Sequence, residues 1–341
     1  VEARLREGAA FLEEKGGEWD DLLAHSPTAT PFQTRDWQTC WWRTFGGGKR
    51  ALALEVREGR DLVGLFPLTV AKGPWRALRA MGTGPSDYLH PIARVGYEAA
   101  VAEALAPALR EVREVDLLDL QCLREDQPLA SMTTDDQARC LVLDLPPTYD
   151  AFLASLGKSL RYDVRRLDKS PFKDGKATIE TNPPDGLDIL FDLHRARWRA
   201  KRLPGAFVGR LVPFQRAWAA VAGDRMWLSV LRLEGRPIGA LYAMAVGRQV
   251  FYYQAGFAPT EGSISPGTLL VAHTVRRAIA EGKTRFDFLR GDEEYKRRWK
   301  PQNAYADRRA VVPLNARGQA GAAWIAQAAR VEAKVRARLE G

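Results

Sequence analysis

The sequence predicts a mixed α/β chain of two tandem units, each a twisted mixed sheet flanked by helices, with a C-terminal helix docked on the body. Three observations carry this. At 341 residues the chain exceeds one ordinary core and suits two domains of about 100–200 residues. Helical and strand periodicities alternate along it instead of segregating. The order helices, hairpin, helix, strand also occurs twice, although no residue-level repeat accompanies it. The expected boundaries are 1–148, 149–315 and 316–341, the last being the docking helix.

In the first unit, residues 7–23 form a leading segment. A helix runs through Cys40, Trp41, Trp42 and Phe45 and stops at Gly46-Gly47-Gly48, because a glycine run continues a helix only at a cost. Residues 51–55 and 62–70 are strands around the turn Glu58-Gly59-Arg60-Asp61. Residues 97–112 are a helix with Leu105 and Leu109 one turn apart, and 116–122 a strand. Residues 139–145 form another, halted by Pro146-Pro147.

The second unit opens with a helix over 149–167, striped by Phe152, Leu153, Leu156 and Leu160. A short strand follows at 177–181, then helices at 187–201 and 212–221. Strands at 227–233, 238–246 and 250–255 surround the turn Glu234-Gly235-Arg236-Pro237. A helix over 267–281 ends at Gly282, and 285–289 is a strand. The tail, 320–339, carries Trp324, Ala328, Val331, Val335 and Leu339 at three-to-four spacing.

Composition excludes other classes. Apolar residues at 46% and charged residues at 27% are ordinary for a globular chain, and no run approaches the roughly 18–20 uncharged apolar residues of a spanning helix. The charged start Val1-Glu2-Ala3-Arg4 lacks the apolar core of a signal peptide, so a cytoplasmic location is expected. Cys40, Cys122 and Cys140 lie far apart, as do His25, His90, His194 and His273, so neither disulfides nor a metal site are expected. Charge is lopsided. Residues 1–149 hold 17 Lys and Arg against 23 Asp and Glu, a balance of −6, and residues 150–341 hold 34 against 19, a balance of +15. The second half therefore suits an anionic partner, though a basic solvated surface has the same balance.

The stretch 250–299 is the most informative. The aromatic strand Phe251-Tyr252-Tyr253-Gln254-Ala255-Gly256-Phe257 runs into a loop that closes at Ser265-Pro266-Gly267-Thr268. Serine is a preferred N-cap, proline suits the first helical position, and bare backbone at Gly267 makes an anion site, with Gly267 and Thr268 as its floor. The same signature also fits a well-capped helix without a ligand. Next comes Phe286-Asp287-Phe288-Leu289-Arg290-Gly291-Asp292-Glu293-Glu294-Tyr295-Lys296. Ligands of α/β sheets bind outside the carboxyl ends of strands, which places Arg290, Asp292, Glu293, Tyr295 and Lys296 at a candidate site, against the alternative of a solvated ion-pair loop. Asp87-Tyr88 follows the turn-rich Gly82-Thr83-Gly84-Pro85-Ser86. His194, Arg197 and Trp198 share a helix that continues into Arg199, Lys201 and Arg202, framing an acceptor cleft or covering a helix surface.

Four stretches resemble the bacterial acetyltransferases grouped with the cellulose-biosynthesis protein CelD, in the GNAT superfamily. They are 30–42 (TPFQTRDWQTCWW), 82–89 (GTGPSDYL), 191–198 (FDLHRARW) and 252–299 (YYQAGF, SPGTLL and FDFLRGDEEYKRRW). The layout also resembles the FemABX peptidoglycan aminoacyltransferases, with two GNAT-like domains per chain. The resemblance implies that fold and transfer of an acyl group to an amine or hydroxyl, on a sugar or envelope precursor, by direct attack. The pyrophosphate loop Q/R-x-x-G-x-G/A of GNAT proteins does not occur between Gly256 and Gly267, where Gly262 and Ser265-Pro266-Gly267 remain; FemABX-like enzymes lack it too.

In a GNAT-like site two neighbouring parallel strands diverge, here 250–255 and 285–289. The resemblance implies a donor, acetyl-CoA or another acyl-CoA, held by Gln254, Ala255, Gly256, Ser265, Gly267, Thr268 and Arg290, with amides near 254–256 polarising its carbonyl. Asp292, Glu293 and Asp87 are the expected bases and Lys296 a neighbour of phosphate or developing charge. Tyr88, His194, Arg197, Trp198 and Tyr295 are expected on the acceptor. Aminoacyl-tRNA is the alternative donor, a non-catalytic binding protein the alternative role, and peripheral membrane contact is compatible with either.

Overall fold

The computed structural model describes every residue except 15–16, 133–134, 170, 201–204, 259–264 and 341. In chain order the elements are β1 (Glu2–Glu7), α1 (Glu18–Ala24), α2 (Arg35–Phe45), β2 (Arg50–Glu58), β3 (Asp61–Ala71), β4 (Ala77–Ala80), β5 (Ile92–Ala93), α3 (Glu98–Glu111), β6 (Leu117–Arg124) and β7 (Asp135–Asp144). They continue with α4 (Tyr149–Ser155), α5 (Lys158–Val164), β8 (Ala177–Thr181), α6 (Gly186–Ala200), α7 (Leu211–Ala222), β9 (Met226–Leu233), β10 (Arg236–Val246), β11 (Gln249–Phe257), α8 (Pro266–Ala280), β12 (Arg285–Arg290), α9 (Glu294–Arg297), β13 (Asn303–Pro313) and α10 (Ala316–Glu340).

The chain forms two compact units, Val1–Gln137 with Ala306–Gly341, and Ala138–Tyr305. The sheet order is β1-β2-β3-β4-β6-β13 in the first and β8-β9-β10-β11-β12-β7 in the second. Element for element the two agree: a strand, two helices, an antiparallel three-strand meander, a helix, a strand parallel to the meander's last, and an antiparallel sixth strand. The duplicated mixed α/β architecture is therefore present. The division falls at 137/138 and 305/306 because residues 306–313 of β13 complete the first unit from beyond its main run of sequence, while residues 138–144 of β7 open the second as its sixth strand.

Several elements escape the sequence pattern. Strand β1 reads as charged and solvated, yet pairs with β2 along its whole length from Glu2↔Arg57 to Glu7↔Leu52. Strand β4 is four residues long, too short for a period to show. The helix expected over 149–167 breaks at Leu156 and Gly157, both extended, into α4 and α5. Elsewhere local chemistry does what its residues suggest. Thr30 and Gln33 form a capping box, and Thr34 Oγ1 accepts the Trp37 amide at 3.3 Å to start α2. The C-terminal helix docks on the first unit. Ile325 joins a cluster with Ala77 and Leu117, and a Cβ at Gly318 would stand 1.8 Å from the Asp116 carbonyl oxygen, so only glycine lets that turn seat.

In the second unit one core joins α4, α5 and α8 to the sheet, through Phe152, Leu160, Val164, Leu270, Val275, Val250, Phe286, Phe288 and Trp299. Helix α6 packs on β9, β10 and β11. The approach to β11 is close: a Cβ on Gly256 would lie 2.4 Å from the His194 amide nitrogen.

Candidate active site

Strands β11 and β12 are parallel neighbours only at Gln249↔Arg285, Val250↔Phe286 and Phe251↔Asp287. Beyond Phe251, β11 stays paired with β10 as far as Gly239↔Phe257, so among the described residues its other edge runs without a strand partner. Strand β12 departs by a local device. Leu289 takes φ +55°, a left-handed conformation rare for a non-glycine residue, and the register with β7 shifts between Asp287 and Arg290. The two strands thus splay, and their diverging edges carry backbone groups that a bound chain can pair with as an added strand does.

A cavity of about 260 Å³ adjoins the splay within the second unit. Its buried lining is apolar: Leu160 from α5, Tyr252 from β11, Val271 from α8 and Trp299. Its more accessible lining is cationic and polar: Arg197, Arg298, Ser265, Gly267 and Thr268, with Tyr295 between. Gly239 lets the start of α8 lie against β10, since a Cβ there would meet Pro266 at 2.8 Å. Ser265 Oγ shares a 3.0 Å hydrogen bond with Thr268 Oγ1 and makes no side-chain cap to the helix backbone, so it leaves the amides of Gly267 and Thr268 for another acceptor. The Arg197 guanidinium lies 5.1 Å from the Phe257 ring centre, and Arg298 is held by Asp163 at 3.1 Å.

The hydroxyls of Tyr252 and Tyr295 are hydrogen-bonded. Burial pushes Tyr252 up to about 12, against that hydrogen bond and the charge of Arg197. Burial, then the proximity of Tyr252 and Glu293, pushes Tyr295 higher still. Both are therefore neutral O–H groups at ordinary pH, able to donate hydrogen bonds while keeping their protons.

The structure gathers some of the residues expected here and separates others. Arg197, Ser265, Gly267, Thr268 and Tyr295 line one cavity. Gln254 hydrogen-bonds His194 on the α6 side. His194 is buried against Phe207 and Trp198, and burial followed by the Arg197 charge lowers it to about 4, a neutral imidazole packed in the interior. Ala255 is buried in the core and Gly256 serves the close approach of α6. Lys296 is buried, its ammonium donating to the carbonyls of Arg290 at 2.6 Å and Gly291 at 3.1 Å and pairing with Glu293 at 2.9 Å, so its donors hold the turn after β12. Asp292 pairs with Arg297 through two 2.7 Å bonds, which hold its carboxyl below the usual range. Asp87 and Tyr88 belong to the first unit, where Tyr88 is fully buried with the Arg124 guanidinium 5.6 Å from its ring centre. Lys201, Arg202 and Gly262 lie outside the described residues.

Sequence reading missed Leu160, Tyr252, Phe257, Val271, Arg298 and Trp299 as lining residues. The aromatic ends of the two stretches, Phe257 and Trp299, were the available signal. Leu160 and Val271 look like any core leucine and valine until α5 and α8 are brought together.

Residues 158–297 match the acetyltransferase (GNAT) domain family. No curated protein matches. Among solved structures, the crystal structure of FemX has a TM-score of 0.68 at 12% identity, covering 91% of this chain and 97% of that one. A tandem GNAT protein from the clavulanic acid biosynthesis pathway has 0.54 at 14%, covering 92% and 99%. The C-terminal domain of a putative lysylphosphatidylglycerol synthetase from Agrobacterium fabrum has 0.53 at 14%, covering 86% and 91%. The chain has the tandem GNAT, FemABX-like fold. No helix among its described residues is long and apolar enough to cross a membrane.

Proposed function

We propose that the protein transfers an acyl group from an acyl-CoA to an amine or hydroxyl acceptor by direct attack, using the second unit as its donor site. The observation that carries this is the splay of β11 from β12 beside the cavity that starts at α8. Its parts fit an acyl-CoA. The edge of β11 beyond Phe251, without a strand partner among the described residues, suits an amide-bearing pantetheine arm, the amides of Gly267 and Thr268, which the Ser265 side chain does not cap, with Arg197 and Arg298 suit its phosphates, and Tyr252, Val271 and Trp299 suit its apolar portion. The acceptor itself is the nucleophile, so no enzyme nucleophile is needed. Tyr295, neutral at the splay, donates a hydrogen bond to the departing sulfur, and the proton that the acceptor gives up passes to the thiolate or to solvent. The acceptor is an amine or hydroxyl of a sugar or envelope precursor.

Aminoacyl-tRNA is the second reading of the donor, favoured by the +15 balance of residues 150–341. Thermal denaturation with each donor separates the two. At a hundredfold excess over Kd, acetyl-CoA is expected to add about 2.7 kcal/mol, a rise of roughly 5–10 °C. Thr268→Glu should abolish the rise without harming the helix, because a carboxylate in the first turn favours the helix dipole while occupying the anion position. A rise with aminoacyl-tRNA alone, falling steeply between 50 and 200 mM salt, would replace acyl-CoA by the second donor. No rise with either would leave the fold without this function.

A further inference from the structure

The first unit contains the counterpart of the donor cleft, and its own chain fills it. Strand β6 corresponds to β12 and β4 to β11. As in the second unit, the parallel pairing is brief, Ala77↔Leu117 and Leu78↔Leu118, and β6 then carries a left-handed residue, Cys122 at φ +61°. Past this pairing the two units differ. Strand β11 continues beside β10 to Phe257, whereas β4 ends at Ala80 and the chain turns at Gly82, φ +100°. The strip that β4 vacates between β3 and β6 is then taken by residues 82–93. On one side Leu89 donates its amide to the Cys122 carbonyl at 2.8 Å. On the other, β5 pairs Ile92 with Leu65 and Ala93 with Gly64 of β3.

The insert is anchored throughout. Trp37 Nε1 donates to Ser86 Oγ at 2.9 Å, Ser86 Oγ donates to the Gly82 carbonyl at 2.8 Å, and Gln33 Nε2 donates to the His90 carbonyl at 2.8 Å. Ser86, Tyr88, Leu89 and His90 are all buried. Opening the strip would expose these side chains and strand each of those hydrogen-bonding groups, a cost far above what one ligand contact returns.

We infer that residues 82–90 permanently occupy the first unit's strand gap, so the chain takes one donor molecule, in the second unit, although it carries the fold twice. The second half of this statement rests on the function proposed for the β11–β12 splay; the closed state of the first unit does not.

Two measurements on the full chain test it. Hydrogen exchange should show the Leu89 amide protected by roughly a thousandfold or more, as core strands are, and unchanged by acetyl-CoA. Native mass spectrometry with acetyl-CoA should show one equivalent bound, and Thr268→Glu should bind none. Rapid exchange at Leu89, a change across 82–90 on adding acetyl-CoA, a second equivalent, or binding retained in Thr268→Glu would each overturn the inference. If wild type binds no acetyl-CoA while Leu89 is protected, the acyl-CoA reading of the second unit fails and the closure of the first stands.

Discussion

Leu289 donates its amide to Oδ1 of Asp287, two residues back on β12, at 2.7 Å, and does so from a left-handed backbone. Both residues are buried, and Asp287 is the last residue of β12 paired with β11. This one contact sits where the strands part. Replacing Asp287 by alanine removes the buried acceptor and is expected to cost about 1–3 kcal/mol of stability. It should also shrink the acetyl-CoA-induced rise in Tm, because Leu289 no longer has a partner for its turned-out amide. Asp287→Asn keeps an oxygen and should recover most of both. A urea midpoint unchanged in Asp287→Ala would remove the contact from any part in shaping the splay.

Gly256 and Gly318 each lie too close to the main chain of a neighbouring segment for a side chain to fit. In Gly256→Ala the new methyl meets the His194 amide nitrogen and the Leu193 carbonyl carbon, both backbone atoms of α6 that cannot swing aside. The expected loss is about 1–3 kcal/mol or more, with α6 displaced from β11. Gly318→Ala drives its methyl into the Asp116 carbonyl and should release the start of α10 from the first unit, seen as faster proteolysis of the C-terminal helix. Alanine tolerated at both positions without a change in midpoint or cleavage would contradict these distances.

Much of this architecture was legible in the sequence where burial follows a period. Leu105 and Leu109 announce α3, the turns at Gly59 and Gly235 announce their hairpins, and Ser265-Pro266 marks the start of α8. The strand splay entered through resemblance, since no pattern of side chains states that two backbones diverge. What remained illegible is non-local. Leu160 and Arg298 reach one cavity from segments 138 positions apart. Lys296 reads as a cation for phosphate or developing charge because its partners, the carbonyls of Arg290 and Gly291, have no side-chain signature. Tyr88 reads as a binding tyrosine because the sequence does not tell that its segment turns back into its own sheet.

Lys296 gives the next prediction. Its ammonium satisfies two carbonyls and Glu293 while nearly excluded from water. Lys296→Met should lose about 1.5–3 kcal/mol, the range for hydrogen bonds to a charged group, and loosen the turn that positions Tyr295. Asp292→Asn, at an exposed pair with Arg297, should leave the urea midpoint essentially unchanged. Comparing the two urea midpoints checks this. A Lys296→Met protein as stable as wild type, yet inactive, would move Lys296 from holding the turn to acting on the substrate.

Acid stability is set by the buried histidines. Burial lowers His194 to about 4 and His90 to about 3, from an unfolded value near 6.5. Between those limits the unfolded chain binds protons that the folded chain refuses, so stability rises with pH there. Their contribution is whole above pH 6.5 and is lost progressively as pH falls through 6.5 toward 4 for His194 and toward 3 for His90. Each unit of pH in that window costs up to about 1.4 kcal/mol per histidine. Paired carboxylates add to the loss only lower down; Asp116, held at about 2 by the Arg76 amide, gives up its share below about pH 4. Tm measured from pH 7 to 4.5 should therefore fall before the carboxylates titrate. In His194→Gln, whose amide cannot take up a proton in this range, the slope between pH 6.5 and 4.5 should flatten in part, His90 and His273, also lowered by burial, supplying the remainder. An equal slope in the variant would show that His194 takes up its proton as readily in the folded chain as in the unfolded one, which its enclosure by Phe207, Trp198 and the Gly205 turn argues against.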